Sequence, residues 1–399
     1  MNSLLKNLLI TLSVFLSFSL HGCESYHWRN EMPLSTRIAY DGNDFLQSMH
    51  RTSDGGFVIV GRSDSFRITA EIVIIRLDAA LRVIWTKALG TSGNDSGMDI
   101  VETNDGGFLV VGSLRTTKGL FDILLARLTP QGDLLTTKLY GGSGNEDVRR
   151  IIKMESNKYA ILANTASYGA GGSDILALVV NSNGDSLGAY TFGTAVTERM
   201  LGATATSDGG LAFTGYISDE DYSAFILRVS SSFQVLNFTR YESLQRDEGL
   251  DIVELNNGDF IITGRSNIVR VPYVNFDAFA FRVHPDGTLE WKNHFGRTSY
   301  DVLASSTLLD DGSIIAAGHS YYISPKFELN QQILVARISS AGDTLWTRSL
   351  GGKKADDALV ALSLDDGRIL IGANTNNSKK RDTDIILFVI DKDGSGTPE

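Results

Sequence analysis

One cysteine stands among the 399 residues, at position 23, so no disulfide can staple this fold. Proline is scarce at 6 while glycine reaches 40, which excludes collagen-like or disordered sequence and indicates many tight turns. Positive charge is also short: 36 Lys and Arg face 47 Asp and Glu, a formal net charge of −11, and no local basic patch offsets it. A chain this acidic repels a polyphosphate backbone or a polyanionic glycan, which excludes nucleic acid as a partner. Apolar runs stay short as well. The charge-free run from Leu8 to Leu20 has 13 residues, below the roughly 20 that a membrane-spanning helix needs. No segment has helical period, and no nucleophile elbow, phosphate loop or clustered metal-ligand spacing occurs, so no metal, cofactor or catalytic motif is assigned.

What is present begins with "MNSLLKNLLITLSVFLSFSLHGC", one Lys followed by an apolar stretch and small residues, which reads as an export signal over 1–22. The ending Leu20-His21-Gly22-Cys23 resembles a bacterial lipobox. That resemblance implies cleavage before Cys23, acyl chains on its thiol and new amino group, and a lipid-anchored protein of the cell envelope. Residues 23–33 are then the lipidated Cys and a short tether, and the outer membrane is the expected address, with the side left open.

The rest of the chain repeats. "SDGGFVIVGR", "NDGGFLVVGS", "SDGGLAFTGY", "NGDFIITGRS", "DDGSIIAAGH" and "DDGRILIGAN" are copies of one turn-and-strand phrase. The residues ending that strand, Gly61, Gly112, Ala163, Gly215, Gly264, Gly318 and Gly372, are 51, 51, 52, 49, 54 and 54 apart, which makes seven units of near 52 residues. Each unit reads as four short β-rich runs. Its Asp-Gly or Gly-Gly turns suit two-residue type I′ hairpins. The expectation is an all-β fold: a single seven-bladed β-propeller of four-stranded antiparallel blades over 34–394, with a tail at 395–399. The last unit stops where its outer strand should begin, and "PLSTRIAYDGND" aligns with outer-strand sequence, so an N-terminal strand at about 34–40 should close the ring.

The wording resembles the bacterial β-propeller repeats of the type D-G-G-F-x-x-x-G that occur in secreted proteins and lipoproteins. The resemblance implies a propeller and an envelope location and no single activity. Trp85, Trp291 and Trp346 are also similar to the docking phrase of quinoprotein propellers, but only three of six outer strands keep the Trp, so they are read as packing between blades.

Two sets of candidates follow. Asp44, Asp95, Glu146, Glu198, Asp247, Asp301 and Asp356 recur at one repeat position and should form a ring near a mouth of the central channel. They are read as structural in preference to a cation site. Arg76, Arg127, Arg228, Arg282 and Arg337 of the third strands are expected to neutralise them, and Glu71, Asp122, Asp174, Ser223, Asp277, Gln332 and Asp384 to act as framework at strand ends. Function should lie where repeats differ. The fifth and sixth units carry the longest intervals between second and third strands, "NIVRVPYVNF" and "YYISPKFELNQ", read as loops. Their Arg270, Tyr273, Phe276, Tyr321, Tyr322, Lys326 and Phe327 could stack on sugar rings or fill a peptide pocket. His319 beside Tyr321 is a weak candidate base. The leading expectation is a non-catalytic, monomeric envelope lipoprotein that binds a protein or glycan through these segments. A carbohydrate-active enzyme (glycoside hydrolase or polysaccharide lyase) on the same face is the alternative, and an outer-membrane assembly scaffold a third reading by fold analogy.

Overall fold

The computed structural model describes residues 35–66, 70–90, 94–116, 120–219, 222–243, 246–270, 273–295, 300–323, 329–351, 355–376 and 382–395, and gives the backbone alone for 268–270, 273–275, 322–323 and 329–330. Cys23, Lys326 and Phe327 lie outside these residues. Seven antiparallel four-stranded sheets follow one another along the chain. Each runs from an inner strand at the channel, such as Asp44–Arg51, to an outer one such as Val83–Leu89. The exception proves how the ring closes. In the last sheet the outer strand is Ser35–Ile38, paired antiparallel with the third strand Asp384–Ile390 through Arg37↔Ile386 and Ile38↔Ile385. The register matches the expected closure, and Arg37 adds an ion pair with Asp384.

Burial follows the blade junctions. Seven apolar clusters each join two neighbouring blades, the last uniting Ile38, Leu370, Ile385 and Leu387 with Leu46, Ile59 and Ile75. Second and third strands, covered on both faces, are therefore almost continuously apolar, as in Glu71–Leu77, where every residue is buried. The Trp residues behave as junction pieces. The indole N–H of Trp85, Trp291 and Trp346 donates to Pro130, Ser340 and Lys392 O in the next blade's turn. The glycine of that turn, Gly132, Gly342 or Gly394, leaves room for the ring.

Two local expectations are corrected. The Asp-Gly turns are not type I′. In "TSDGG" the hairpin closes from Thr52 N–H to Gly56 O, and only Gly55, at φ 84, is left-handed. This is a type I turn followed by a bulge. It keeps Asp54 right-handed so that its carboxylate can accept from Thr52 Oγ1 at 2.7 Å and Gly56 N–H at 3.1 Å. The third-strand arginines do not serve the acidic ring either. Arg76 follows Glu71 by five residues, about 17 Å down the strand, and reaches the opposite face, where it grips Asp54 with both contacts at 2.6 Å. Arg127, Arg228 and Arg337 pair with Asp105, Asp208 and Asp311 in the same way.

Every inner strand carries a bulge that skips one residue, at Gln47, Met98, Arg149, Leu201, Leu250, Ala304 and Leu359. The bulge drives the carbonyl of Phe45 under Gly61, where a Cβ would collide with it, and the same holds at Gly215, Gly264 and Gly318. The recurrent glycine is a close-approach residue.

Candidate functional site

Inner and second strands meet at the face that also carries the connections between blades. The acidic ring sits there, but inside the junctions: none of its seven members is more than 3% exposed. Asp44 accepts from Tyr40 N–H, four residues back, at 2.7 Å and from the Ser63 and Ser65 hydroxyls at 2.5 and 3.0 Å. Glu146 accepts from Gly142 N–H and Glu198 from Thr194 N–H, again four residues back. These three carboxylates thus tie their connections to the blades, Asp247 pairs instead with Lys292, and the buried set leaves no open funnel. Burial, aided by the nearby Asp384, raises the Asp44 carboxyl above its ordinary value despite these bonds.

Side chains alternate along a strand, so the next residue in each inner strand points the other way. This layer pairs Arg199 with Tyr216, Glu248 with Arg265, Val302 with His319 and Asp357 with Asn374. Here the blades differ, and in blades 5 to 7 the differences connect. Arg265 donates Nε and Nη2 to Glu248 Oε2 at 2.9 and 2.6 Å and Nη1 to the Tyr300 hydroxyl at 2.6 Å. The Tyr300 ring lies parallel to His319 at 5.9 Å, and His319 Nδ1 meets Asp357 Oδ1 at 2.7 Å. Tyr321 stands edge-on to both rings, held by its N–H to Tyr300 O at 2.8 Å. Phe276 tilts against Tyr300 at 4.8 Å, and the Arg265 guanidinium lies over the Phe276 ring at 5.2 Å. The Glu248 carboxylate holds the Arg265 guanidinium above its ordinary value, against the desolvation that opposes it, and burial beside Asp357 and Tyr300 raises the Tyr321 phenol. On the blade 4 side, Arg246 lies 3.6 Å over Tyr222, which stacks on Tyr216.

Of the residues expected from sequence, Phe276, His319 and Tyr321 are brought together. The segments carrying them are not loops. They continue the ladders: Phe260–Arg270 pairs with Tyr273–Val283 as far as Arg270↔Tyr273, and Ile314–Ile323 pairs with Leu329–Ile338 through Tyr321↔Gln331 and Tyr322↔Asn330. Their β-branched and aromatic residues extend the sheets, which places Arg270 and Tyr273 at the tip of one hairpin and Tyr322 near the tip of the other. Tyr300, Arg265, Glu248 and Asp357 were not expected. The signal for Tyr300 was its place just before the repeat acid Asp301, at a position where no other unit has tyrosine.

One other group could suggest a metal. Asp259, His284 and Glu290 bring ligand atoms together on the opposite face. Arg282 already fills it, donating to Asp259 at 2.5 Å and meeting Glu290 at 2.9 Å, and His284 Nδ1 meets Asp259 at 3.0 Å. A second cation there would be repelled.

No protein-family model and no curated protein matches the chain. Solved structures do, at the level of fold. Puromycin hydrolase superposes with a TM-score of 0.55 at 12% identity over 90% of this chain and 54% of that one. A protein of unknown function from Dyadobacter fermentans gives 0.51 at 11% identity, covering 90% and 98%. YCF48 bound to D1 peptide gives 0.50 at 12% identity, covering 92% and 99%. At such identities the likeness is one of architecture.

Proposed function

We propose that the chain is a binding module whose partner, a protein or a glycan, docks on the mouth formed by blades 4 to 7. The observation that carries this is the collar Glu248, Arg265, Tyr300, His319, Asp357. It occupies a layer where the repeats diverge, between two lengthened hairpins. Half-buried aromatic faces flanked by fixed charges suit a sugar ring or a peptide side chain. The same fold accepts a peptide in YCF48, a precedent for the scaffold alone. The lipobox-like ending at Cys23 supports a bacterial envelope location with a lipid anchor. Globomycin should leave an unprocessed precursor, and Cys23→Ser should move the protein out of the membrane fraction; unchanged processing would refute the anchor.

A second reading has its own support. Asp357 fixes His319 through Nδ1, which leaves Nε2 as the ring nitrogen available beside a phenol, an arrangement suited to proton transfer on a carbohydrate. The two readings separate on one experiment with a polysaccharide panel. Binding without turnover, lost in Phe276→Ala/Tyr321→Ala, supports the module; turnover lost in His319→Ala supports the enzyme; neither binding nor turnover, with no protein captured from membranes, sinks both.

A further inference from the structure

The collar sits above a second feature that it does not use. The central channel holds a cavity of about 350 Å³ lined by inner-strand residues, within the size range of small-molecule sites. Its wall has two characters. The bulged residues Met98, Leu201, Leu250 and Leu359 give it apolar lining. Interleaved with them is a polar group built on two buried carboxylates, Asp251 in the lining at 5% exposure and Asp99 at 1% behind the lining residues Ser48 and His50.

The hydrogen bonding of that group is one-sided. Asp99 Oδ1 accepts from Ser48 Oγ and meets His50 Nε2, each at 2.6 Å, and its Oδ2 accepts Ile151 N–H of the next blade at 2.9 Å. Asp251 Oδ2 accepts Ser306 N–H and Oγ at 2.7 and 3.1 Å, and its Oδ1 accepts Arg150 Nη2 at 3.0 Å. Arg150 reaches it from blade 3 past Gly202 of blade 4, where a Cβ would strike the backbone of Asp251. Ser48 and Asp99 both address Nε2 of His50, so this is no nucleophilic triad, in which serine and aspartate engage opposite nitrogens. The acceptors are therefore filled. Among the described residues the donors are not: Arg150 spends one of five N–H groups, and Arg149, which donates Nη2 to Asp147 Oδ2 at 2.8 Å, leaves its buried Nε without a partner. The lining itself carries Arg149 and Arg150 against Asp251, in a chain that is otherwise strongly acidic.

We infer that the channel is a second binding site, for a small organic acid: its carboxylate accepts from Arg150 and Arg149, and its apolar remainder lies along Leu201, Leu250 and Leu359. Surplus donors call for a ligand that brings acceptors, and a guanidinium held from behind by a carboxylate is pre-set for one. The apolar side favours an acid with a hydrocarbon part over inorganic phosphate.

The probe is hexanoate, with 1-hexanol as its uncharged counterpart, followed by saturation-transfer NMR and calorimetry on the mature chain. Hexanoate should bind and hexanol should not. Arg150→Gln should weaken hexanoate by about tenfold or more, the scale of one charged hydrogen bond. Ala304→Phe, which adds bulk to the cavity lining from blade 6 and changes no charge, should abolish binding and keeps the test decisive if Arg150→Gln folds poorly. Tyr321→Ala at the mouth should leave hexanoate affinity unchanged, so this result and the mouth reading stand or fall separately. No hexanoate binding at millimolar concentration, equal binding of hexanol, or affinity untouched by Ala304→Phe would overturn the inference.

Discussion

Ring closure by the N-terminal strand can be tested with Ile38→Ala. Ile38 is 5% exposed and packs in the cluster that joins the last blade to the first. Truncation removes three carbons, about 2.4 kcal/mol of transfer free energy at ~0.8 kcal/mol each, and the cavity left behind brings the cost to about 3 kcal/mol. A propeller of roughly 360 residues unfolds with an entropy near 0.76 kcal/mol/K at the per-residue average, so the thermal midpoint should fall by about 4 °C. The control is Ile84→Ala on the outer strand of blade 1, where the side chain is 55% exposed and the midpoint should move by less than about 1 °C. Differential scanning calorimetry or circular dichroism at 218 nm reads both. Equal midpoints for the two variants would mean that Ile38 does not bury against the last blade, and the closure argument would fail.

Further outcomes follow from the same structure. The Asp54 carboxyl is pushed down to about 2, chiefly by the Thr52 hydroxyl and the Gly56 N–H, with Arg76 adding to them against a desolvation that opposes. A depressed carboxyl contributes stability that is present above the ordinary carboxylate range and is lost as pH falls toward 2, so the midpoint gap between the native chain and Asp54→Asn should be widest above about pH 5 and close near pH 2. A gap that does not vary with pH would exclude that ionisation. Asp99→Ala strands the Ile151 N–H and uncouples His50, and should cost about 3–5 kcal/mol, or roughly 4–7 °C; a shift below about 1 °C would show that the junction carboxylate is dispensable. Trp291→Ala should destabilise by about 3–5 kcal/mol if fully packed and by less here, because the ring is half-buried against the Gly342 turn; calorimetry on Trp291→Phe, which keeps most of the packing, should recover most of the loss.

The fold was legible because one geometry is specified seven times. Gly61, Gly112, Gly215, Gly264 and Gly318 mark where a bulge brings a carbonyl too close for a Cβ, and Asp44, Glu146 and Glu198 mark where a connection is tied down, so spacing alone exposes the blade. The turn type was misread because Asp-Gly suits two hairpins. Only the hydrogen bonds to Asp54 decide between them. The arginines were assigned to the wrong end because a repeat shows that Arg76 recurs, not which face a side chain five residues along a strand will reach. The site was legible in part. Phe276, His319 and Tyr321 stood out by residue type in units of unusual length. Glu248, Arg265, Tyr300 and Asp357 did not, since each contact crosses from one strand or blade to another, as in the 35 residues between Arg265 and Tyr300 or the 38 between His319 and Asp357. The extended ladders hid in segments judged by length, although their β-branched residues continue the strand pattern through Val269↔Val274.

The claim at the centre of this account is that the mouth of blades 4 to 7 is where a partner docks. Site-specific photo-crosslinking in intact cells tests it most directly, with p-benzoylphenylalanine at Tyr321 and, on the opposite face, at the exposed turn residue Asp310. The account predicts a discrete adduct from position 321, weakened by Tyr300→Ala, and none from position 310. An adduct from position 310 with none from 321 would contradict it.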